Sequence, residues 1–326
     1  MKLQILIPQY KETNEIIKPL LDSLMVQQGV DLNEIGVIIV NDGTNVHLNE
    51  DWLKTYPYKI EYYLAPHRGV SATRNTCLDY ASADYVMFCD ADDMFYNACG
   101  LWMIFNEIKK GFDTLSSKFV EEANIEGIGL TYIDHNNDNT FVHGKVHCRK
   151  YLIDNDIRWN PNLTIHEDSY FNVQCWDLAE KKVYVPYSFY LWKYRKDSVC
   201  RSDKQYILKT YPQLVDSVDG IIESYLKRGK NDKALGQIIH TIFKMYYTLY
   251  TPMWRDKNNI EYSAKLERRM YQFYKKYKQM WDDCSEKNKI FFSNQIRSEM
   301  INKGMVLETM TIEEWLNKLE KTYKDI

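Results

Sequence analysis

The sequence predicts an α/β fold, a mixed sheet flanked by helices, followed by an all-α region. Three observations predict it. Apolar runs of strand length alternate with helix-length segments over roughly the first 110 residues, helical patterning takes over from Tyr206, and the charge balance reverses at the same place. Residues 1–204 carry 21 Lys and Arg against 29 Asp and Glu, a balance of −8, whereas residues 205–326 carry 21 against 16, a balance of +5. A chain of 326 residues is long for one core. The expected division is therefore a first domain at 1–204 and a helical region at 205–326.

The first elements follow from their composition. Leu3–Pro8, Val37–Asn41, Ile60–Leu64 and Tyr85–Cys89 are short, continuous and rich in β-branched or aromatic residues, as strands buried on both faces are. Between and after them lie helix candidates at Asn14–Gln27, Val70–Tyr80 and Ala98–Lys109. Strand, helix, strand, helix implies parallel βαβ units. In such sheets ligands bind beyond the carboxyl ends of the strands. The residues found there are Gln9-Tyr10, Asn41-Asp42-Gly43, Ala65-Pro66-His67-Arg68 and Asp90-Ala91-Asp92-Asp93.

After about Asp113 the pattern becomes short and mixed, with a polar turn expected at Asp134–Asn139. Helices are expected at Cys148–Asn155 and Glu167–Leu178, and a strand at Val183–Tyr194. Further on, the spacing predicts helices at Ser263–Trp281 and Ile312–Tyr323. Leu266, Met270, Phe273, Tyr277 and Met280 fall on one apolar face of the first of these, opposite a basic side.

Composition excludes several classes. Hydrophobic residues make up 45% and charged residues 27%, ordinary values for a soluble globular chain. No apolar run approaches the roughly 20 residues of a membrane span, and MKLQILIPQYKE is too short in its apolar part for a secretory leader. Seven cysteines without a CxxC pair predict reduced thiols in a cytoplasmic protein, not a disulfide framework or a zinc site. The first strand is followed by Pro8-Gln9-Tyr10-Lys11-Glu12 and not by GxGxxG, which excludes a dinucleotide-dependent oxidoreductase.

Five segments carry chemistry. Asp90-Ala91-Asp92-Asp93 follows a buried strand and offers hard oxygen ligands to a divalent cation that shares a diphosphate; a solvated turn is the plainer use of such acids. Asp42-Gly43 ends another strand, where a carboxylate can meet a base or ribose, although Asp-Gly is also a common turn. His67-Arg68-Gly69 leads into a helix carrying Arg74, a cation for a diphosphate or for the neighbouring aspartates. Glu167-Asp168 open a helix whose dipole keeps carboxylates ionised; this serves a general base and equally serves helix capping. Tyr194-Arg195 begins a basic stretch running to Arg201, able to close on a leaving diphosphate or to remain a solvated face.

In this order the segments resemble the family 2 glycosyltransferases. The resemblance runs from Ile5-Leu6-Ile7-Pro8-Gln9-Tyr10-Lys11-Glu12 through Asn41-Asp42-Gly43-Thr44, Gly69 to Arg74-Asn75, and Phe88-Cys89-Asp90-Ala91-Asp92-Asp93. It resumes at Lys145–Trp159, Glu167-Asp168 and Tyr194-Arg195, covering residues 1–204. It implies the GT-A (Rossmann-like) fold, a mixed sheet flanked by helices, and inverting transfer from a nucleotide sugar, a UDP-sugar being the family's commonest donor. It further implies that Pro8, Tyr10, Glu12 and Asp42 line the base pocket and that Arg68, Arg74 and Asp90 hold the ribose and pyrophosphate region. Asp92 with Asp90 would bind Mn²⁺ or Mg²⁺, Asp168 would be the general base with Glu167 beside it, and Arg195 would meet the diphosphate. Lys11 stands where the family often has asparagine.

The implied acceptor is a hydroxyl of a polysaccharide or lipid-linked glycan, reached at the cytoplasmic face with peripheral membrane contact. The basic helix leaves two further readings open: a polyanionic acceptor such as a modified base in DNA, which salt would weaken steeply, and a nucleotide-sugar-binding protein without turnover.

Overall fold

The computed structural model describes residues 1–136, 138, 140–196, 205–305 and 310–325. The chain divides into two compact units, Met1–Ser198 and Val199–Ile326.

The first unit is built on one mixed sheet. Its parallel half is β1 (Leu3–Gln9), β2 (Ile35–Asp42), β3 (Lys59–Ala65) and β4 (Tyr85–Phe88), in the order β3-β2-β1-β4. The register pairs Leu3 with Ile35 and with Tyr85, so all these strands end at one rim. Side chains alternate across β1. Leu3, Ile5 and Ile7 pack with α1 (Asn14–Met25), while Leu6 packs on the other side with α3 (Val70–Tyr80). A strand apolar on both faces must be sandwiched between helices, which is why its sequence reads as a continuous apolar run. α2 (Glu50–Leu53) and α4 (Gly100–Ile108) complete this half.

The other half is antiparallel at its joins. β8 (Lys145–Cys148) pairs antiparallel with β4 and with β6 (Thr114–Ile125), and β6 runs parallel to β9 (Lys182–Trp192). β5 (Met94–Phe95) closes the far edge against β9, and β7 (Gly129–His135) pairs with β6. This is the mixed, helix-flanked sheet expected. The sequence left β5, β6, β7 and β8 unassigned, and the expected turn at Asp134–Asn139 begins two residues late, with Asn136 and Asp138 outside any strand and Asn137 and Asn139 outside the described residues. β7 runs through Asp134 and His135, and the chain reverses earlier, between Ile125 and Gly129. Its long, half-exposed strands mix Glu, Asn and Thr with Ile and Tyr, so they show no clean alternation. α5 (Arg149–Asp154) and α6 (Glu167–Leu178) finish the unit, with Phe171 and Cys175 of α6 in the core.

The second unit is helical: α7 (Tyr206–Lys227), α8 (Asn231–Leu249), α9 (Pro252–Arg255), α10 (Ile260–Asp282), α11 (Glu286–Asn302) and α12 (Ile312–Tyr323). On α10, Leu266, Met270, Phe273 and Tyr277 are buried as predicted, but the face ends on Trp281, with Met280 half-buried. Position 281 lies four residues after Tyr277, so the stripe follows the i+4 row at the end of the helix. The basic side is partly neutralised within the unit. Arg269 pairs with Asp216 and Asp219, and Lys276 with Asp219 and Glu223. No helix among the described residues is long and apolar enough to cross a membrane.

Candidate active site

At the end of β2 the Asp42 carboxylate is buried and already occupied. Its Oδ1 accepts from the Arg68 amide at 2.8 Å, and its Oδ2 accepts from the Gly69 amide at 3.0 Å and lies 2.9 Å from His67 Nδ1. The acid therefore pins the loop before α3 to the strand end. Gly43, at φ 66°, makes the approach feasible, because a Cβ there would run into the His67 backbone nitrogen. Arg68 meets Asp42 through its backbone, and its guanidinium lies exposed, 3.5 Å from Thr76 Oγ1. The Tyr10 ring stacks on the His67 ring with centroids 4.9 Å apart. Glu12 folds back so that its Oε2 accepts from the Tyr10 and Lys11 amides at 2.8 and 3.2 Å. Pro8 sits inside β1, opposite Val40.

Arg74, on α3, is 3% exposed and gathers three carboxylates. Its Nη2 donates to Asp90 at 2.8 Å, and its Nη1 donates to Asp168 at 2.7 Å and to Glu167 at 3.2 Å. The guanidinium lies 4.3 Å from the centroid of Trp159, which stacks in turn on Phe171. Burial opposes the charge on Arg74, and its three acids more than restore it. In return, although burial works to raise Asp90, Arg74 holds that carboxyl below its ordinary range.

The three acids of Asp90-Ala91-Asp92-Asp93 go to three different partners. Asp90 takes Arg74. Asp92 takes Arg195 Nη1 at 2.8 Å, and the same nitrogen is 3.6 Å from Glu12. Asp93 turns inward, where its Oδ2 accepts from Tyr190 Oη at 2.5 Å and its Oδ1 from the Lys193 amide at 2.9 Å. Burial and the neighbouring acids push Asp92 up and Asp93 well up from the usual carboxylate range. A cation would relieve that repulsion. Ligand atoms of Asp90, Asp93 and His143 lie within 4.8 Å of one another, so the donor set fits a divalent ion.

Glu167 and Asp168 open α6, entered through His166 in the left-handed region at φ 61°. Such a conformation in a non-glycine residue is a strain that functional sites often hold. Asp168 Oδ2 accepts from the Val142 amide at 3.1 Å, and its carboxyl keeps 18% of its surface exposed. Burial raises the Asp168 carboxyl, with Arg74 opposing, and burial with the Asp168 charge raises Glu167 to about 7. Lys145 Nζ donates to the carbonyls of Asp138 and Phe141 at 2.6 and 2.5 Å, which fixes the segment carrying Val142. Burial lowers the Lys145 ammonium to about 8.

These contacts form one connected chain along the sheet rim. Asp42, His67, Tyr10, Glu12, Arg195 and Asp92 touch in turn, and the next residues of the same loop lead through Asp90 and Arg74 to Glu167 and Asp168. Arg68 is the member whose side chain stands outside it. Of the basic stretch 194–201, residues 197–201 lie outside the described residues. Three contributors escaped the sequence reading: Asp93 as an inward acid, His143 and Lys145. The pattern offered no signal for His143, which sits between elements in a segment read only for its basic and aromatic residues.

Residues 4–120 match the model of glycosyl transferase family 2. Glycosyltransferase GlyA of Streptococcus pneumoniae is 26% identical over 226 residues, 61% of this chain and 32% of the relative. Minor teichoic acid biosynthesis protein GgaB of Bacillus subtilis is 25% identical over 169 residues, 44% of this chain and 18% of the relative. The chain thus spans a third or less of the length of these curated relatives. Among solved structures, S. aureus TarS 1-349 in complex with UDP-GlcNAc is similar at a TM-score of 0.53 and 17% identity, covering 94% of this chain and 93% of that one. Another structure of S. aureus TarS gives a TM-score of 0.59 at 17% identity, over 99% of this chain and 55% of that one. The motifs at the sheet rim, the family match over residues 4–120 and the shared architecture agree: residues 4–120 are similar to glycosyl transferase family 2, and the chain has the GT-A fold.

Proposed function

We propose that the chain is an inverting, cation-dependent glycosyltransferase that moves a sugar from a nucleoside-diphosphate sugar to a hydroxyl of a cell-surface polysaccharide or lipid-linked glycan. One observation carries the reading: a single buried guanidinium, Arg74, holds both a donor-side acid, Asp90, and the candidate base, Asp168. Transfer needs the donor's diphosphate and the acceptor's base on opposite sides of one anomeric carbon, and a shared arginine keeps the acids for both in one site.

In this reading Asp168 takes the proton of the acceptor hydroxyl. The Val142 amide and Arg74 hold one geometry of its carboxylate, which leaves lone pairs on both oxygens for the acceptor proton. The acceptor oxygen forms its bond to the anomeric carbon as the bond to the nucleoside diphosphate breaks on the opposite face, so the configuration inverts. Asp90 and Asp92 are assigned to the cation, which when bound supplies positive charge to the departing diphosphate. Arg195, whose side chain is 38% exposed, is assigned to the same diphosphate and exchanges Asp92 for it. Tyr10, Pro8, Glu12 and Asp42 are assigned to the nucleoside. Asp42 has one free lone pair on Oδ1 for a base N–H or ribose hydroxyl, since its other contacts are made.

A UDP-sugar is the preferred donor, in keeping with the UDP and UDP-GlcNAc bound by TarS. GgaB, named for minor teichoic acid biosynthesis, favours a cell-surface acceptor. The DNA alternative loses ground because Arg269 and Lys276 of α10 are paired with acids of α7. We assign residues 205–326 to acceptor binding or to a cap.

The test is a thermal-shift panel of nucleotide sugars with and without Mn²⁺, followed by product analysis with polysaccharide and lipid-linked acceptors. A Mn²⁺-dependent shift with one donor and an inverted linkage in the product are expected. Absence of any donor-specific shift would overturn the reading; unchanged turnover by Asp168→Asn would move the base to another residue.

A further inference from the structure

Beside the rim acids lies a histidine with no assigned role. His143 is 3% exposed, and its Nδ1 is buried without a hydrogen-bond partner. That nitrogen lies 3.8 Å from Asp93 Oδ2, too far for a hydrogen bond. A buried polar atom left unsatisfied costs about 1–3 kcal/mol. The fold nevertheless goes to some length to hold it there. The ring is boxed by Tyr190, Phe119, Trp192 and Phe141, at centroid distances of 4.8, 5.1, 5.2 and 5.6 Å. Lys145 Nζ lies 3.3 Å from the His143 carbonyl. Gly144, at φ 65°, lets the segment press against β6, where a Cβ would run into Ser117 Oγ.

The orphan nitrogen faces carboxylates. Asp90, Asp93 and His143 each offer a ligand atom, all within 4.8 Å of one another. Asp92, assigned to the same cation once Arg195 turns to the diphosphate, pairs with Arg195 here.

We infer that His143 Nδ1 is a nitrogen ligand to the divalent cation of this corner, alongside Asp90 and Asp93. The inference rests on the proposal that the site binds a cation for sugar transfer, and it adds a consequence for metal choice. Imidazole favours transition metals, whereas Mg²⁺ prefers oxygen. This corner therefore selects Mn²⁺ over Mg²⁺, and His143 is the residue that makes it selective.

The test is electron spin echo envelope modulation of Mn²⁺ bound to the untagged full chain, without donor. A ¹⁴N modulation from a directly bound imidazole is expected in the wild type, and it should disappear in His143→Phe, which retains an aromatic ring in the box. Calorimetric titration of the same variant with Mn²⁺ should show a loss of affinity of at least the roughly 10–100-fold that even an outer partner of a metal ligand contributes, with a much smaller loss for Mg²⁺. Bound Mn²⁺ without nitrogen modulation in the wild type, or modulation that persists in His143→Phe, overturns the inference. The wild-type spectrum decides even if the variant fails to fold. Sugar transfer by a protein that shows no nitrogen signal would sink the ligand and leave the transferase standing; a nitrogen signal in a protein that transfers nothing would do the reverse.

Discussion

The two units solve the problem of charge in opposite ways. In the first, the decisive charges are buried together: Arg74 at 3% exposure with Asp90, Glu167 and Asp168 around it. In the second, an equally dense group, Arg269 and Lys276 with Asp216, Asp219 and Glu223, sits nearer the surface of two packed helices. A buried cluster is expensive to break and is kept for chemistry. A solvated one contributes little and can be lost with small effect. The first unit holds strained and raised acids at a strand rim, and the second satisfies its acids and places aromatic rings such as Trp281 and Trp315 in its core.

The contrast can be broken or sharpened by substitution. The largest effect is expected at the base. Asp168→Asn should lower turnover by about 10²–10⁴-fold, the usual range for a positioned proton acceptor, while leaving donor affinity near wild type by calorimetry. Wild-type turnover would move the base elsewhere. Next, Arg74→Met should lower the urea unfolding free energy by about 3–5 kcal/mol, because three buried carboxylates lose their cation. The matching change in the second unit, Arg269→Met, should cost no more than about 1 kcal/mol. Equal losses would erase the distinction drawn between the units.

A smaller effect concerns pH. Burial raises the folded Glu167 carboxyl to about 7, above its ordinary value of 4.5. The folded state therefore holds the proton more tightly than the unfolded one, and the stabilisation present below pH 4.5 is lost as pH rises through about 7. In metal-free buffer Glu167→Gln should show a shallower decline of unfolding free energy between pH 5 and 8 than the wild type; an unchanged slope would place the titration on another group. The smallest effect is Met280→Ala on α10, expected within about 0.5 kcal/mol because the apolar face runs through Trp281 instead.

Much of this was legible in the sequence. The parallel strands were readable because a strand buried on both faces shows as an unbroken apolar run, and their carboxyl ends named Asp42, Asp90 and Asp92 as candidates, with Asp168 read at the start of a helix. The hairpin of β6 and β7 was not, since its exposed strands carry Glu, Asn and Ile without alternation. For Arg74 the sequence left two partners open, a diphosphate or the neighbouring aspartates. The packing buries it as the hub of three acids, a contact set spanning more than ninety residues that no local pattern encodes.

By itself the sequence determined which chemical groups exist and which strands bring them to one rim, because hydrophobic periodicity is local and strand direction follows from the intervening helices. Only the tertiary structure decided how the acids are shared out: Asp90 to Arg74, Asp92 to Arg195, Asp93 inward toward Tyr190 and His143. Adjacent residues leaving a strand end point in different directions. Which neighbour each meets depends on chain segments far away in sequence, and so does the ionisation state each adopts.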